Sequence, residues 1–124
     1  MNEITIIIIT YKSEKIIYNF IKKIPSTIKT VIIENSQNYK LKKNIELNYK
    51  NISVYIKKND GVSSALNFAV DKIETKYFLQ ISPDIEFNFK DLEVFLKYTK
   101  KLNDNFAALG PRFLEVKEKS HKQI

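Results

Sequence analysis

Residues 4–9 read Ile-Thr-Ile-Ile-Ile-Ile, a nearly continuous run of β-branched side chains. Side chains of this kind favour extended backbone, and an apolar run without alternation indicates a strand that is buried on both faces. Strands of that type are found in parallel sheets that carry helices on each side. This first run therefore predicts an α/β domain, and the segments after it extend the prediction.

Further strand patterns follow along the chain, separated by longer polar or helical segments. They lie at residues 29–34, 52–56, 77–81 and 106–109. Between the second and third strands, the polar residues 35–51 read as a loop with a short helical piece around residues 41–47. Strand patterns at these intervals indicate units in which a helix connects two parallel strands.

Three helices are predicted from apolar residues spaced three and four apart. Ser13 and Asn88 can cap the first and third helices, the second begins after Gly61, and Pro25 ends the first. The apolar faces consist of Ile16, Ile17, Phe20, Ile21 and Ile24; of Leu66, Ala69, Val70 and Ile73; and of Leu92, Phe95, Leu96, Thr99 and Leu102.

The alternation of strands and helices predicts a three-layer α/β/α domain with a mostly parallel, Rossmann-like sheet. Right-handed crossovers favour an order in which strands one to three run outward and strand four lies beside strand one. The boundary between strands one and four is then a switch point, where ligands bind outside the carboxyl ends of the strands. Residues 1–114 form this domain, and residues 115–124 are predicted to be a flexible polar tail.

The composition is that of a soluble globular domain, with 44% apolar and 28% charged residues in 124. There is no cysteine, which excludes disulfides and thiolate metal sites. The apolar run at residues 6–9 is too short to cross a membrane, and Glu3 ahead of it is unlike a signal peptide. We expect a cytoplasmic protein without a transmembrane segment, for which peripheral membrane contact stays open.

The net charge of +7 comes almost entirely from lysines that are dispersed in pairs, and Arg112 is the sole arginine. Nucleic-acid readers favour arginine and cluster their charge, so nucleic acid is not predicted as a partner. A solvated lysine surface is the simplest interpretation. An anionic nucleotide and an acidic membrane surface are the alternatives.

Polar side chains follow each of the first four strands, at what would be one edge of the sheet. These segments are Thr10-Tyr11-Lys12, Glu34-Asn35-Ser36, Lys58-Asn59-Asp60-Gly61 and Ser82-Pro83-Asp84-Ile85-Glu86. The opposite edge offers mostly lysines and turn residues. The carboxyl edge is therefore the predicted ligand site.

Four stretches in this order and spacing resemble the N-terminal, nucleotide-sugar-binding half of family 2 glycosyltransferases with the GT-A fold, close to the rhamnosyltransferase-like branch. They are residues 6–14, 31–36, 59–67 and 77–84, and residues 109–112 also match. The resemblance covers about residues 3–114. It implies a nucleotide-diphosphate sugar donor, and transfer of the sugar with inversion to a glycan or lipid-linked glycan acceptor.

The resemblance also implies roles for residues that follow the first two strands. Thr10 and Tyr11 would cup the base and ribose, with Tyr11 stacking on the base. Glu34 stands where the family usually has aspartate, which accepts a hydrogen bond from the base or ribose. The alternatives are that Tyr11 covers the end of the sheet and that Glu34 is a surface acid at a strand end.

Further family positions fall on Asn59, Gly61 and Asn67, which shape the donor site around the start of the second helix. Free amides at the start of that helix favour a phosphate. Two readings without a ligand remain open here, namely a turn with positive φ at Gly61 and capping of the helix by Ser63.

Ser82-Pro83-Asp84 aligns with the family's metal-binding Asp-X-Asp signature, with Ser82 in place of the first acid. The resemblance makes Asp84 the ligand of Mg²⁺ or Mn²⁺, which would neutralise charge on the leaving nucleoside diphosphate. Glu86 matches no catalytic position of the family and is assigned to the exposed segment that follows.

In the family the general base lies after the fifth strand, in the second half, so we assign no catalytic residue. Two other classes stay open. One is a non-catalytic nucleotide-binding module that works with a partner chain or as a homodimer. The other is a sugar nucleotidyltransferase, although its glycine-rich phosphate loop near the N-terminus has no counterpart in this sequence.

Overall fold

The computed structural model describes residues 3–101, with side chains up to residue 98. Contacts divide the chain after residue 90, so that nearly all of the last helix belongs to a second unit. The elements are β1 Ile4–Thr10, α1 Glu14–Ile21, β2 Lys29–Glu34, α2 Tyr39–Asn48, β3 Ile52–Ile56, α3 Val62–Val70, β4 Tyr77–Gln80 and α4 Lys90–Lys101.

The four strands form one parallel sheet in the order β3-β2-β1-β4. This is the predicted order, with β4 beside β1 and the switch point between them. Ile7 lies opposite both Val31 of β2 and Gln80 of β4, which fixes the register across the centre of the sheet. The predicted strand at residues 106–109 and the predicted tail lie outside the described residues.

The β1 strand is the centre of the core, as its sequence predicts. Ile6, Ile7 and Ile8 are each 0% exposed, although alternate residues face opposite sides of the sheet. Burial of one such side chain contributes roughly 1.5–3 kcal/mol. The run of isoleucines is thus explained by helices that cover both faces.

The helices form a layer on each face of the four-stranded sheet. On one face, Ala65 and Ala69 of α3 pack against Ile7, Val31 and Ile33. Right-handed crossovers that run outward from β1 to β3 place α1 and α2 on the other face, because the return to β4 reverses direction. The α/β/α layering of the prediction is confirmed.

Two of the predicted helix faces are largely confirmed, and each includes one residue that is exposed. In α1, Ile17 and Ile21 are buried while Ile16 is 45% exposed, and the helix ends at Ile21, before Pro25. In α3 the buried residues are Ala65 and Ala69, and Val70 is exposed. One residue turns a helix by about 100°, so a neighbour of a buried position points away from the sheet.

The segment predicted as mostly loop contains a ten-residue helix, α2. Asn38 caps it, because its Oδ1 accepts a hydrogen bond of 2.9 Å from the Leu41 N–H. Leu41 and Ile45, four residues apart, are its buried side chains. So short an apolar stripe among lysines and asparagines explains why the sequence pattern reads as loop.

The α2 helix also covers the outer edge of β3. Lys42 Nζ donates to the Val54 carbonyl at 2.7 Å, and Glu46 Oε2 accepts from the Val54 N–H at 2.9 Å. Lys42 and Glu46 are themselves 2.9 Å apart. Two side chains therefore pair with the groups that a neighbouring strand would otherwise bind.

The surroundings of Glu46 shift the pKa of its carboxyl group. Desolvation raises its pKa, but the hydrogen bond from the Val54 N–H, followed by the hydrogen bond and charge of Lys42, outweighs it. The pKa of Glu46 is consequently lowered from its ordinary value of 4.5. The charged form of Glu46 is the form that the fold favours.

The α4 helix begins after the capping residue that the sequence predicts. Asn88 Oδ1 accepts a hydrogen bond of 3.0 Å from the Lys90 N–H, as the predicted cap requires. Leu92 and Leu96 are buried, while Val94 is exposed. Within residues 3–101, no helix has the length and apolar character needed to cross a membrane.

Candidate functional site

The carboxyl ends of β1 and β2 are held together by their backbones. Thr10 pairs with Glu34 in the register of the sheet, and the Asn35 N–H donates to the Thr10 carbonyl at 2.9 Å. The turns after the two strands therefore begin side by side. Thr10, Glu34 and Asn35 are all buried.

Two buried oxygens at this place have no hydrogen-bond partner, Thr10 Oγ1 and Asn35 Oδ1. Thr30 Oγ1, at the other end of β2, is the third such atom within the described residues. A buried polar atom without a partner costs about 1–3 kcal/mol. The end of β1 and β2 thus holds two adjacent residues whose polar groups would be stabilised by a ligand or water.

Tyr11 is 47% exposed at the start of the turn after β1. Lys12 Nζ lies 5.3 Å from the centroid of its ring, and Lys12 has a positive φ of 50°. About half of the side chain is thus covered, and the alternative that Tyr11 covers the end of the sheet stays open beside stacking. Its ring is accessible for stacking on a planar group, and stacking on a base remains a prediction.

The Glu34 carboxylate faces its own loop. Its side chain accepts hydrogen bonds from the Ser36 N–H at 3.0 Å, from the Asn38 N–H at 2.8 Å and from the Ser36 hydroxyl. The residue is 1% exposed. Glu34 is therefore a buried acid that loop donors satisfy, and the interpretation as a surface acid is wrong.

Ser36 extends this network to the turn after β1. Its Oγ accepts a hydrogen bond of 3.1 Å from the Lys12 N–H. The loop after β3 joins as well, because Gln37 Nε2 donates to the Lys57 carbonyl at 3.2 Å. Three loops at the carboxyl edge are thus connected by hydrogen bonds.

The turn between β3 and α3 depends on Gly61, whose φ of 98° and ψ of 167° are conformations that side chains disfavour. A Cβ on Gly61 would meet no atom within 4 Å, so backbone conformation rather than space requires glycine here. Asn59 Oδ1 accepts from the Gly61 N–H at 3.4 Å. The predicted turn with positive φ is confirmed.

Gly61 is also the N-cap residue of α3, and no side chain caps this helix. The alternative of a Ser63 cap is therefore wrong. Ser13 occupies the N-cap position of α1 as predicted, but its hydroxyl donates to the Tyr11 carbonyl and forms no capping hydrogen bond. Ser63 and Asn67 are both exposed, on the side of α3 away from Ala65 and Ala69. The first amides of α3 remain available to an anion at this edge.

Asp84 lies in a turn that follows β4, in which the Ile85 N–H donates to the Ser82 carbonyl at 3.3 Å. The carboxylate is exposed, and its Oδ1 accepts a hydrogen bond from the Ser82 hydroxyl. Asp84 borders a cleft of about 300 Å³ that Ile16 and Phe20 of α1 also line. Glu86 is exposed, as predicted.

These residues fit a metal ion that is held mainly by other ligands. Within residues 3–98, no three acidic or histidine side chains are grouped to hold a metal by themselves. Asp84 supplies one carboxylate, and the Ser82 hydroxyl beside it supplies a further oxygen. Mg²⁺ and Mn²⁺ accept such sparse protein ligation where phosphate oxygens and water complete the shell.

A larger cleft of about 500 Å³ opens at the opposite edge, where the strands begin. Lys29, Lys50 and Lys72 line it together with Glu74, in agreement with the lysines expected at this edge. It contains none of the residues predicted for the ligand site. Its size alone does not make it the functional site, because the switch-point geometry belongs to the other edge.

Three residues of the carboxyl edge were not among the predicted site residues. Asn35 holds a buried unpaired oxygen, Ser36 links two loops, and Asn38 caps α2 while donating to Glu34. The sequence signal for Asn35 and Ser36 is their position directly after a strand of the predicted sheet, and for Asn38 it is a capping residue type three positions before Leu41. Their hydrogen bonds depend on the folded loop and are not visible in the pattern.

Comparison with known proteins agrees with this fold. Among relatives, a low-salt glycan biosynthesis hexosyltransferase, Agl10 of Haloferax volcanii, is 25% identical over 117 residues, which are 92% of this chain and 38% of that protein. Among solved structures, TarS of S. aureus matches with a TM-score of 0.68 and 19% identity, over 88% of this chain and 38% of the other.

The TarS match concerns the fold, and it confirms the expected GT-A type of architecture. The chain spans 38% of the length of Agl10 and 38% of the solved TarS chain, which comprises residues 1–349 of that protein. The sequence model of glycosyl transferase family 2 matches residues 5–123, which is nearly the whole chain. The chain therefore belongs to glycosyl transferase family 2.

Proposed function

We propose that this chain binds the nucleoside diphosphate of a sugar donor at the carboxyl edge of its sheet, for transfer of the sugar with inversion to a glycan acceptor. Membership of glycosyl transferase family 2 supports sugar transfer as the reaction class. The hexosyltransferase relative acts in glycan biosynthesis, which favours a glycan as the acceptor.

The register between β1 and β4 is the observation that carries the proposal. Ile7 pairs with Gln80, and the Ile81 N–H donates to the Ile7 carbonyl at 3.0 Å. The turn with Tyr11 and the turn with Asp84 consequently begin at the same edge of neighbouring strands. This is the switch point at which open α/β sheets bind nucleotides.

Each part of a nucleotide has a matching group at this edge. Tyr11 offers an exposed ring to the base, and the unpaired oxygens of Thr10 and Asn35 are acceptors for base or ribose donors once their side chains turn outward. The uncapped amides at the start of α3, with Asn59 and Asn67 beside them, suit the phosphates.

Asp84 would hold Mg²⁺ or Mn²⁺ together with the diphosphate, and the Ser82 hydroxyl orients the Asp84 carboxylate. The bound metal would supply neutralisation of the charge that develops on the departing nucleoside diphosphate. The chain's own contribution is to position the diphosphate between α3 and Asp84. The attacking acceptor hydroxyl also needs a general base, which is assigned to none of the residues 3–98.

Calorimetric titration with ADP, GDP, CDP, UDP and dTDP, each with and without Mn²⁺, tests the proposal. We expect one nucleotide to bind, and to bind more tightly with Mn²⁺. Asp84→Asn should reduce its affinity in Mn²⁺ to the value measured without the metal. Glu86→Gln is the matched control, since it removes an exposed acid from the same segment.

Mn²⁺ titrated without nucleotide should show no binding to Asp84, because a single carboxylate is a weak site for a hydrated cation. Absence of binding by all five nucleotides in Mn²⁺ would refute the proposal. Equal affinity of the wild type and Asp84→Asn would refute the metal-binding role while leaving nucleotide binding in place.

A further inference from the structure

The position of Glu34 in the family motif suggests that its carboxylate contacts the nucleoside, but its surroundings indicate another role. A carboxylate has about four acceptor positions. Three are taken by donors of its own loop, the Ser36 N–H, the Ser36 hydroxyl and the Asn38 N–H. With the residue 1% exposed, the fourth position is closed to a ligand.

We infer that Glu34 is a positioning residue, which prepares the nucleotide site through Ser36 and Lys12 without contacting the nucleotide. This inference rests on the proposed function of the carboxyl edge. Glu34, Ser36, Asn38 and Lys12 are connected by hydrogen bonds, and we call them the Glu34 network.

The effect of Glu34 on Lys12 passes through the hydroxyl of Ser36, and we call this connection the relay. The Ser36 hydroxyl donates a hydrogen bond to the Glu34 carboxylate, and Ser36 Oγ accepts a hydrogen bond of 3.1 Å from the Lys12 N–H. The Ser36 hydroxyl has one proton. Because that proton points to Glu34, the oxygen lone pairs of Ser36 face the Lys12 N–H. The charged acceptor therefore determines which way Ser36 presents itself to the turn after β1.

That turn needs such support. Lys12 adopts a φ of 50°, which residues with side chains adopt infrequently, and it directly follows Tyr11. The hydrogen bond from the Lys12 N–H stabilises this conformation and so holds the Tyr11 ring at the edge. The same carboxylate also binds the N–H of Asn38, which caps α2. Glu34 thus orders the turn after β1 and the turn between β2 and α2.

The length of the Glu34 side chain fits this role. Its oxygens reach donors two and four residues further along the chain, at Ser36 and Asn38. That length is used within the loop.

Nuclear magnetic resonance of the full chain without ligand tests the relay. Glu34→Gln and Ser36→Ala should each shift the Lys12 amide resonance and accelerate its hydrogen exchange, on the order of tenfold for the loss of one hydrogen bond to a polar acceptor. Ser36→Thr retains the hydroxyl and should keep the wild-type exchange rate. An unchanged Lys12 amide in Ser36→Ala would overturn the relay.

A double-mutant cycle on nucleotide affinity separates positioning from contact. If Glu34 acts through Ser36, the variant with both Glu34→Gln and Ser36→Ala should bind UDP with Mn²⁺, or whichever nucleotide the wild type binds best, no more weakly than the weaker single variant. Losses of affinity that multiply would instead indicate a direct contact by Glu34 and overturn the inference.

The two hypotheses fail separately in these experiments. If the wild type binds no nucleotide, the proposed function fails, while the Lys12 amide still reports on the Glu34 network. If Glu34→Gln does not fold, Ser36→Ala and Ser36→Thr carry the test, because Ser36 is partly exposed and lies in a loop. In that case equal affinity of Ser36→Ala and the wild type for the nucleotide overturns the positioning role.

Discussion

Glu34 and Asp84 are both acids that follow a strand at the carboxyl edge, yet their surroundings differ. The Glu34 carboxylate is buried and accepts three hydrogen bonds from its own loop. The Asp84 carboxylate is exposed, and it accepts a hydrogen bond from the Ser82 hydroxyl. The first stabilises the loop, whereas the second keeps acceptor positions open for a ligand.

The difference shows that position in a family motif does not by itself decide what an acid does. Burial and the number of donors around the carboxylate decide it. An acid whose acceptor positions are occupied in the free protein has little left to gain from a ligand.

Removal of the Glu34 side chain should have the largest effect on stability. Glu34→Ala leaves the Ser36 and Asn38 amides without their acceptor, and we expect the free energy of unfolding to fall by about 3 kcal/mol. Urea denaturation at neutral pH measures it, with Glu86→Ala as the control. A loss below about 1 kcal/mol would contradict the structural role of the buried carboxylate.

Gly61 tests whether a third loop of the same edge relies on backbone conformation instead of a carboxylate. Its φ of 98° and ψ of 167° lie in a region that is nearly exclusive to glycine, so Gly61→Ala should cost about 1–3 kcal/mol. Thermal or urea unfolding measures the change, and Lys58→Ala in the same loop is the control. Retained stability would mean that the turn can relax to another conformation.

Glu46 is an intermediate case, a partly exposed acid with two partners. Because its folded pKa is lowered below 4.5, it stabilises the fold at pH values above its unfolded pKa, and this contribution disappears as the pH falls through the folded value. Its side chain is 36% exposed, so solvent screening limits the effect to about 0.5 kcal/mol.

Urea denaturation of the wild type and Glu46→Gln between pH 7 and pH 3 checks this sign. The variant should be less stable at pH 7, and the two proteins should converge toward pH 3. The exposed Glu86→Gln serves as the control. A difference that grows as the pH falls would contradict the lowered pKa.

Asp84→Ala should have the smallest effect on stability, since its carboxylate is exposed and its partner Ser82 can bind water instead. We expect the urea midpoint to stay at the wild-type value while metal-dependent nucleotide binding is lost. A lowered midpoint would show that Asp84, like Glu34, holds its loop, and the contrast between the two acids would then disappear.

Much of the fold could be predicted from the sequence because a few strong local signals agree. The isoleucines of β1, the capping residue Asn88 and the glycine before α3 each indicate one structure. The sequence indicated only the part of α2 around residues 41–47, because Leu41 and Ile45 are its two buried residues. Its capping signal, Asn38, was present in the sequence.

The candidate site was harder to predict, for a physical reason. A sequence places Glu34, Asn35 and Ser36 after a strand, but it does not show which of them is buried or which donors face them. Those properties arise when the loops after β1, β2 and β3 fold against one another. The unpaired oxygen of Asn35 and the three hydrogen bonds to the Glu34 carboxylate are therefore visible in the structure alone.

The pair Lys42 and Glu46 has a consequence for how the sheet can grow. A strand from any other polypeptide that approached β3 would compete with an ammonium and a carboxylate for the amide of Val54. Such competition makes the β3 side a poor template for aggregation and domain swapping. The α2 helix beside β3 therefore blocks the addition of a further strand, because its side chains occupy the backbone groups of Val54.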